Sequence, residues 1–237
     1  MTSEVTRQPA CAGAPFSKLV LHHCHDARSV RTLWLLHELG LEFDLIVHEF
    51  GRELQDPEYL KLSPVGRVPA LVIDGQPMIE TGAIAQYLCE VCDSDLIRRA
   101  GDPERAEFLQ WLHFAETMAQ HLAILTQQHI VIWEDKDRSP LLMKLERRRL
   151  EKILHMLDRH LAGDDRNHML ASGFSAADIA IGYGVEVARR FAPFDGLDHL
   201  MAYHDRLHAR PALQRSLPPA GAKRIYTQPF YDVPEAS

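Results

Sequence analysis

The segment VGRVPALVIDGQPMIETGAIAQYL, Val65 to Leu88, decides the fold of this chain. The proline after Val68 opens an apolar run, a position that favours a tight turn and is compatible with a cis peptide bond. The run ends at Asp74-Gly75, a strong two-residue hairpin signal, and Met78-Ile79 returns as a second strand. Apolar side chains at helical spacing follow. They predict a helix that begins near Thr81, with free N–H groups suited to binding a carboxylate.

The composition is typical of a water-soluble protein with two domains of about 100 residues each. The chain has 237 residues, of which 46% are hydrophobic and 25% charged, and a formal net charge of −7. No apolar run approaches the ~20 residues of a membrane span, and the first residues lack the pattern of a secretory signal. The negative charge disfavours nucleic acid as a partner. The basic run Arg147–Arg149 lies between Glu146 and Glu151, which indicates a solvated, salt-bridged helix face.

The four cysteines are Cys11, Cys24, Cys89 and Cys92. They are too few for a disulfide framework in a chain of this length, so we expect a reducing, cytoplasmic location. Cys89 and Cys92 have the CxxC spacing, but they fall late in the predicted helix and have no second pair elsewhere. We therefore expect them to pack in the helix rather than to bind zinc.

The first part of the chain alternates strands and helices after a predicted flexible tail at residues 1–16. The elements before the hairpin are a strand at Lys18–His23, a helix at Arg28–Leu39, a strand at Phe43–Phe50 and a helix at Pro57–Leu62. The first strand-helix-strand unit predicts a right-handed parallel crossover, and the later pair of strands an antiparallel hairpin.

After about Asp95 the pattern becomes helical only. We predict a linker at 96–103, an all-helical domain at 104–220 and a C-terminal tail at 221–237. The predicted helices run from Asp102-Pro103-Glu104 to at least Ile130, over Leu141–Leu161, over Ile179–Val187 and over Leu197–His208. Ser175 and Asp178 form a capping box in front of the third of these helices.

Three separated motifs occur in order along the chain. They are LHELGLEFD after the first helix, GRVPALVIDG with IETGAIAQYL, and GFSAADIAIGY in the second domain. Over roughly residues 18 to 215 the chain thereby resembles the cytosolic glutathione transferase family. The resemblance implies an α+β, thioredoxin-like N-terminal domain (βαβ-αββα) at residues 17–95, followed by the all-α domain. It also implies a homodimer and glutathione as co-substrate.

The resemblance implies a role for the residues of the opening segment. Val68, before Pro69, pairs its backbone with the cysteinyl part of glutathione, and Glu80 and Thr81 hold the γ-glutamyl end. Simple helix capping is the alternative for the last two. We add Arg67 and Arg52 as cations for the glycyl carboxylate, with a solvated surface role as the alternative.

The catalytic group departs from the resemblance. The subgroup that this chain most resembles reads like HHxxxSRSxRxLWLLEELG, whereas the segment here is HHCHDARSVRTLWLLHELG, so Ala27 stands where a serine is expected. A methyl group donates no hydrogen bond to a thiolate. We therefore predict that Arg28 and the N–H groups near Ser29 lower the thiol pKa, with Ser29 as second donor. The alternatives are a structural salt bridge for Arg28 and a cap for Ser29.

Cys24 supports a rival hypothesis, a glutathione-dependent peroxidase or disulfide reductase that forms a mixed disulfide through this thiol. Otherwise Cys24 is a small apolar residue in a loop. A third hypothesis is a non-catalytic relative that binds only a partner.

A small hydrophobic electrophile is the expected second substrate of the thiolate, with hydroperoxides as the alternative. We predict that His25, Met118, His121 and Leu122 border its site. The HHCHD cluster has metal-binding residue types, but alternate strand residues face opposite ways, so we expect no metal.

Overall fold

A computed structural model describes residue 11 and residues 15–163 and 166–233. The described residues form two compact units. The first comprises those within Met1–Ile97 together with Ala212–Ala220, and the second those within Arg98–Pro211 together with Gly221–Ser237. The predicted tail at 1–16 lies mostly outside the described residues.

The first unit contains a four-stranded sheet in the order β2-β1-β3-β4. Its elements are β1 (Leu19–His23), α1 (Ser29–Leu39), β2 (Asp44–Val47), α2 (Pro57–Leu60), β3 (Ala70–Ile73), β4 (Gln76–Met78) and α3 (Thr81–Val91). β1 runs parallel to β2 and antiparallel to β3, and β3 pairs antiparallel with β4. The predicted order of elements, the parallel crossover and the hairpin are confirmed, and the unit has the thioredoxin-like fold.

The second strand is shorter than predicted. β2 spans Asp44–Val47, whereas the predicted strand extended to Phe50. The last backbone bond on this edge runs from the His48 amide to the His23 carbonyl, at 2.8 Å. Because β1 ends at His23, the chain beyond His48 finds no strand to pair with, and Gly51 (φ 107°) turns it into a short 3-10 helix, Arg52–Gln55.

The core of the first unit lies between the sheet and the two helices that contact each other, α1 and α3. Leu21, Trp34, Leu71 and Leu88 are wholly buried there. Gly40 ends α1 in the left-handed conformation, because a residue without a Cβ adopts it at little cost.

The second unit is helical. It contains α4 (Arg105–Thr126), α5 (Pro140–Ala162), α6 (Ala176–Ala188) and α7 (Asp198–His208). A π-helical turn at Gln127–Val131 continues α4, close to the predicted end at Ile130. The capping box is confirmed: Asp178 accepts from the Ser175 amide at 2.8 Å, and the Ser175 hydroxyl accepts from the Ala177 amide at 3.2 Å. The basic run of α5 is salt-bridged as predicted, with Arg147 3.3 Å from Glu151.

Two features were not predicted. A further helix, α8 (Pro211–Ser216), lies mostly in the first unit although it follows the helices of the second.

The second unpredicted feature is a disulfide between Cys92 and Cys11, whose Cα atoms lie 4.9 Å apart. The prediction that Cys92 only packs in its helix is therefore wrong, because its partner is 81 residues away and no local spacing reveals it. Cys24 and Cys89 are buried thiols. Within the described ranges, no helix has the length and apolar character needed to cross a membrane.

Candidate functional site

The bend in front of β3 is held by side chains of the preceding loop. The Val68–Pro69 peptide bond is cis, in agreement with the predicted tight turn. The carbonyl of Arg67 accepts hydrogen bonds from the Tyr59 hydroxyl at 2.7 Å and from the Ser63 hydroxyl at 2.8 Å. The same serine oxygen accepts from the Arg67 amide at 3.2 Å. These bonds give the backbone at Val68 one defined orientation.

Gly66 shows how closely this bend packs on the 3-10 helix. Its φ is +60°, and a Cβ at this position would lie 2.5 Å from Gln55 Nε2 and 2.8 Å from the Leu54 carbonyl oxygen. Any larger residue would therefore have to move the loop that carries Val68.

The backbone of Val68 is available to a ligand. Across the described residues, neither its amide nor its carbonyl has a hydrogen-bond partner. Its side chain packs against an apolar cluster that includes Cys24, Tyr59 and Ala70. An extended peptide laid against such an edge forms main-chain hydrogen bonds, worth about 0.5–1.5 kcal/mol each net.

The start of α3 provides charge recognition. Glu80 is exposed and has a left-handed φ of 74°, which a non-glycine residue adopts only at a cost of about 1–3 kcal/mol. Among the described residues its side chain makes no capping hydrogen bond to α3, so capping does not explain this conformation. Strain of this kind is common at ligand-binding positions.

Arg31 was not among the predicted site residues, yet it contacts one of them. It is only 3% exposed, and its Nη1 donates to the Thr81 hydroxyl at 3.3 Å. A buried guanidinium beside a helix start increases the positive potential there. The signal in the sequence that could have revealed this residue is its position on the buried, apolar face of α1.

The start of α1 differs from the predicted arrangement in detail. Arg28 occupies the N-cap position with helical dihedral angles, and it is half-buried. Ala27 packs against the same apolar cluster as Val68, so the wall at the expected hydroxyl position is apolar.

Ser29 is wholly buried. Its Oγ accepts from the Cys24 amide at 3.1 Å, lies 2.8 Å from His23 Nδ1 and donates to the Cys24 carbonyl at 3.3 Å. Burial, together with the neighbouring His25, lowers the pKa of His23 to about 4, so His23 is neutral at pH 7. The hydroxyl thus fixes the loop that precedes α1, and its role as a donor to a thiolate stays a prediction.

Cys24 is 1% exposed, and its thiol is poorly suited to ionisation. Burial, and to a lesser extent the negative charge of Glu53, raises its pKa to about 12. Because a thiol reacts as its thiolate, these surroundings disfavour nucleophilic chemistry at neutral pH.

The remaining predicted residues lie in both units. In the first, Arg52 and Arg67 are exposed and His25 is half-buried.

The predicted residues of the second unit are mostly buried. Met118 is wholly buried, and a Cβ added to Gly184 would lie 2.8 Å from the Met118 sulfur. Leu122 is 4% exposed, and His121 Nδ1 lies 2.6 Å from the buried carboxylate of Glu146. Met118 and Leu122 thus have little surface to offer a ligand.

Comparisons with known proteins show which family the chain is similar to. Residues 18–90 match the family model described as the glutathione S-transferase N-terminal domain. The chain is also similar to glutathione S-transferase F13 of Arabidopsis thaliana, with 30% identity over 149 residues that cover 56% of this chain and 67% of the relative. The chain belongs to the glutathione S-transferase family.

One further relative and one solved structure bear on the chemistry of this glutathione S-transferase family member. One is the disulfide-bond oxidoreductase YfcG of Escherichia coli, which is 27% identical over 191 residues covering 77% of this chain and 86% of the relative. The other is the crystal structure of a glutathione transferase from Pseudomonas putida with one glutathione disulfide bound per subunit. It has a TM-score of 0.72 and 26% identity, and the match covers 92% of this chain and all of that one.

Proposed function

We propose that this glutathione S-transferase family member binds glutathione beside Val68 and activates its thiol for attack on a small hydrophobic electrophile or a hydroperoxide. The observation that carries the proposal is the unpaired backbone of Val68 next to the cis Pro69. It lies in the same unit as the strained Glu80 and the start of α3.

Each part of glutathione has a proposed partner. The cysteinyl residue pairs with the Val68 backbone in the manner of an added strand. The Glu80 carboxylate takes the γ-glutamyl ammonium, while the Thr81 hydroxyl and amide donate to the neighbouring carboxylate. Arg67 and Arg52 meet the glycyl carboxylate. Arg31 acts through Thr81 as a positioning residue.

The thiol is activated by positive potential rather than by a neighbouring hydroxyl. Arg28 and the amide groups at the start of α1 stabilise the thiolate, and each unit by which they lower the thiol pKa requires only about 1.4 kcal/mol. Ser29 holds this loop in place through its bonds to Cys24 and His23. The thiolate then attacks the electrophilic atom, and the leaving group departs with the bonding electron pair. Of the side chains predicted to border the electrophile, His25 lies in the same unit as the start of α1, and we propose it as the neighbour of the electrophile.

Disulfide reduction is the second candidate function, favoured by the similarity to the Escherichia coli oxidoreductase. The thiolate of bound glutathione would attack a substrate disulfide and release one substrate thiol. A second glutathione would free the other thiol and form glutathione disulfide. The burial of Cys24 favours a route that uses only the glutathione thiol.

The test combines binding with turnover. Retention on immobilised glutathione and elution by the free tripeptide are expected, followed by turnover of a panel of electrophiles, hydroperoxides and small disulfides with glutathione. A protein that neither binds the matrix nor turns over any of these substrates would be a non-catalytic relative. The cytoplasmic homodimer implied by the family belongs to the same proposal, and light scattering of the purified protein tests the dimer.

A further inference from the structure

A cluster of metal-binding side chains lies in the second unit, where the proposed function uses none of them. His204 and His208 are one helical turn apart on α7, with ring centroids separated by 4.2 Å. Glu186, near the end of α6, places its Oε2 2.9 Å from His204 Nε2 and 3.1 Å from His208 Nε2. One ligand atom from each of the three residues lies within 4.8 Å of the other two.

We propose that Glu186, His204 and His208 bind a divalent transition-metal ion, Zn²⁺ as the reference case, and so link α6 to α7. Two imidazole nitrogens and one carboxylate oxygen are a known ligand set for zinc, with water in the fourth position. With Zn–ligand bonds of about 2.0–2.1 Å, tetrahedral ligand atoms lie about 3.3 Å apart, close to the 2.9 Å and 3.1 Å that separate Glu186 Oε2 from the two imidazole nitrogens. Small side-chain rotations are therefore enough to admit the ion.

The exposure of the three residues permits an ion to enter. The His204 side chain is 5% exposed, whereas His208 and Glu186 are 27% and 32% exposed. The buried histidine sets the position of the site, and the other two ligands leave one side open to water.

The surroundings orient the buried ligand. His204 Nδ1 lies 3.2 Å from Asp205 Oδ1. A proton on Nδ1, donated to this carboxylate, leaves the lone pair of Nε2 for the metal, as in the carboxylate–histidine–zinc arrangement.

Two arginines compete with the ion. Arg189 Nη1 lies 3.2 Å from His204 Nε2, and Arg190 Nη2 lies 3.9 Å from Glu186 Oε1. Arg189 is exposed, so its side chain can turn into solvent when the metal takes its place. Removing this charge should therefore strengthen metal binding, whereas it would weaken a site that needed the arginine.

Titration of the full, tag-free chain with Zn²⁺, and with Co²⁺ as a spectroscopic probe, tests the proposal. We expect one ion per chain, visible absorption of tetrahedral Co²⁺ and a rise in Tm on metal addition. Glu186→Gln and His208→Gln should weaken binding by at least about tenfold, since even outer-shell changes cost 10- to 100-fold. Arg189→Gln should tighten it.

The matched control is His199→Gln, which changes an exposed histidine on the same helix. This variant should bind Zn²⁺ as the wild type does. Circular dichroism confirms that each variant is folded, and Glu186→Gln and His208→Gln serve as independent tests on two helices. The proposal is overturned if the wild type binds no ion, which would make the cluster a plain hydrogen-bonded network. It is equally overturned if binding is unchanged in both ligand variants.

Discussion

The guanidinium of Arg31 donates a 3.3 Å hydrogen bond to the hydroxyl of Thr81, and so joins α1 to the start of α3 across 50 residues of sequence. The bond places a buried positive charge at the helix end that we propose binds the γ-glutamyl group. The bond therefore links the start of α3 to α1, the helix whose first residues we propose stabilise the thiolate.

Arg31→Met should weaken binding of glutathione by about tenfold, because Thr81 loses the partner that positions its hydroxyl and the start of α3 loses a neighbouring positive charge, an effect of up to about 2 kcal/mol in partly buried sites. Calorimetric titration with glutathione measures the loss, and a urea melt separates it from unfolding. Arg31→Lys should restore part of the affinity by keeping the charge. Arg148→Met, an exposed arginine on α5, is the control and should bind as the wild type does. Equal affinity of Arg31→Met and wild type would remove Arg31 from the site.

Arg28→Ala should raise the apparent pKa of the bound glutathione thiol by one unit or more, because the thiolate loses a neighbouring positive charge. The pH profile of kcat/KM for conjugation measures this shift. Activity at pH 6.5 should fall more than activity at pH 9, where the thiol ionises without help. An unchanged profile would remove Arg28 from the mechanism.

Cys24→Ala should leave both conjugation and disulfide reduction largely intact. The thiol is buried, and its pKa of about 12 keeps it protonated at neutral pH. Turnover of an electrophile and of a small disulfide, measured on the same preparation, is the readout. Loss of the disulfide activity alone would instead support a mixed disulfide at Cys24.

Gly66→Ala should raise KM for glutathione, because the new methyl group would meet the Leu54 carbonyl and displace the loop that carries Val68. Gly75→Ala is the matched control. Gly75 also has a positive φ, of +86°, but a Cβ there meets nothing within 4 Å. Both variants incur the left-handed strain of about 1–3 kcal/mol, so a difference in KM between them reports the steric effect. If both raise KM equally, the packing of Gly66 does not position the site.

Asp178 should make the stability of the second unit depend on pH. Burial raises its pKa to about 6, against opposing hydrogen bonds from Met169, Ser175 and Tyr203. Since the folded-state pKa exceeds the unfolded value, its favourable contribution is complete below about pH 4 and is lost as the pH rises through about 6. Denaturant unfolding at several pH values should show this loss, with a slope of up to about 1.4 kcal/mol per pH unit.

The side chain of the Asp178→Asn variant cannot titrate. The free energy of unfolding of this variant should therefore fall less steeply with pH between pH 4 and 6 than that of the wild type. The variant is less stable overall because it loses a carboxylate acceptor of the capping box. Parallel slopes in variant and wild type would mean that Asp178 does not control the pH dependence.

Local signals in the sequence were sufficient for the first unit's framework. The cis proline, the Asp74-Gly75 turn and the helix start at Thr81 each depend on the dihedral angles and hydrogen bonds of a few adjacent residues. The capping box at Ser175 is of the same kind. For Val68, Glu80 and Thr81 the sequence also pointed to the candidate site, through motifs in which those local features occur in a fixed order.

What the sequence by itself determined is therefore the order of elements and the backbone of the proposed groove, since period, turn chemistry and capping act over a few residues. Only the tertiary structure decided that Arg31 reaches Thr81, that Ser29 is buried against His23 and that Cys11 bonds to Cys92. It also brought Glu186 to the two histidines of α7. Apart from the Ser29 contact, these pairings join residues many positions apart. In every case side-chain direction and burial, which no periodicity specifies, determine which groups meet.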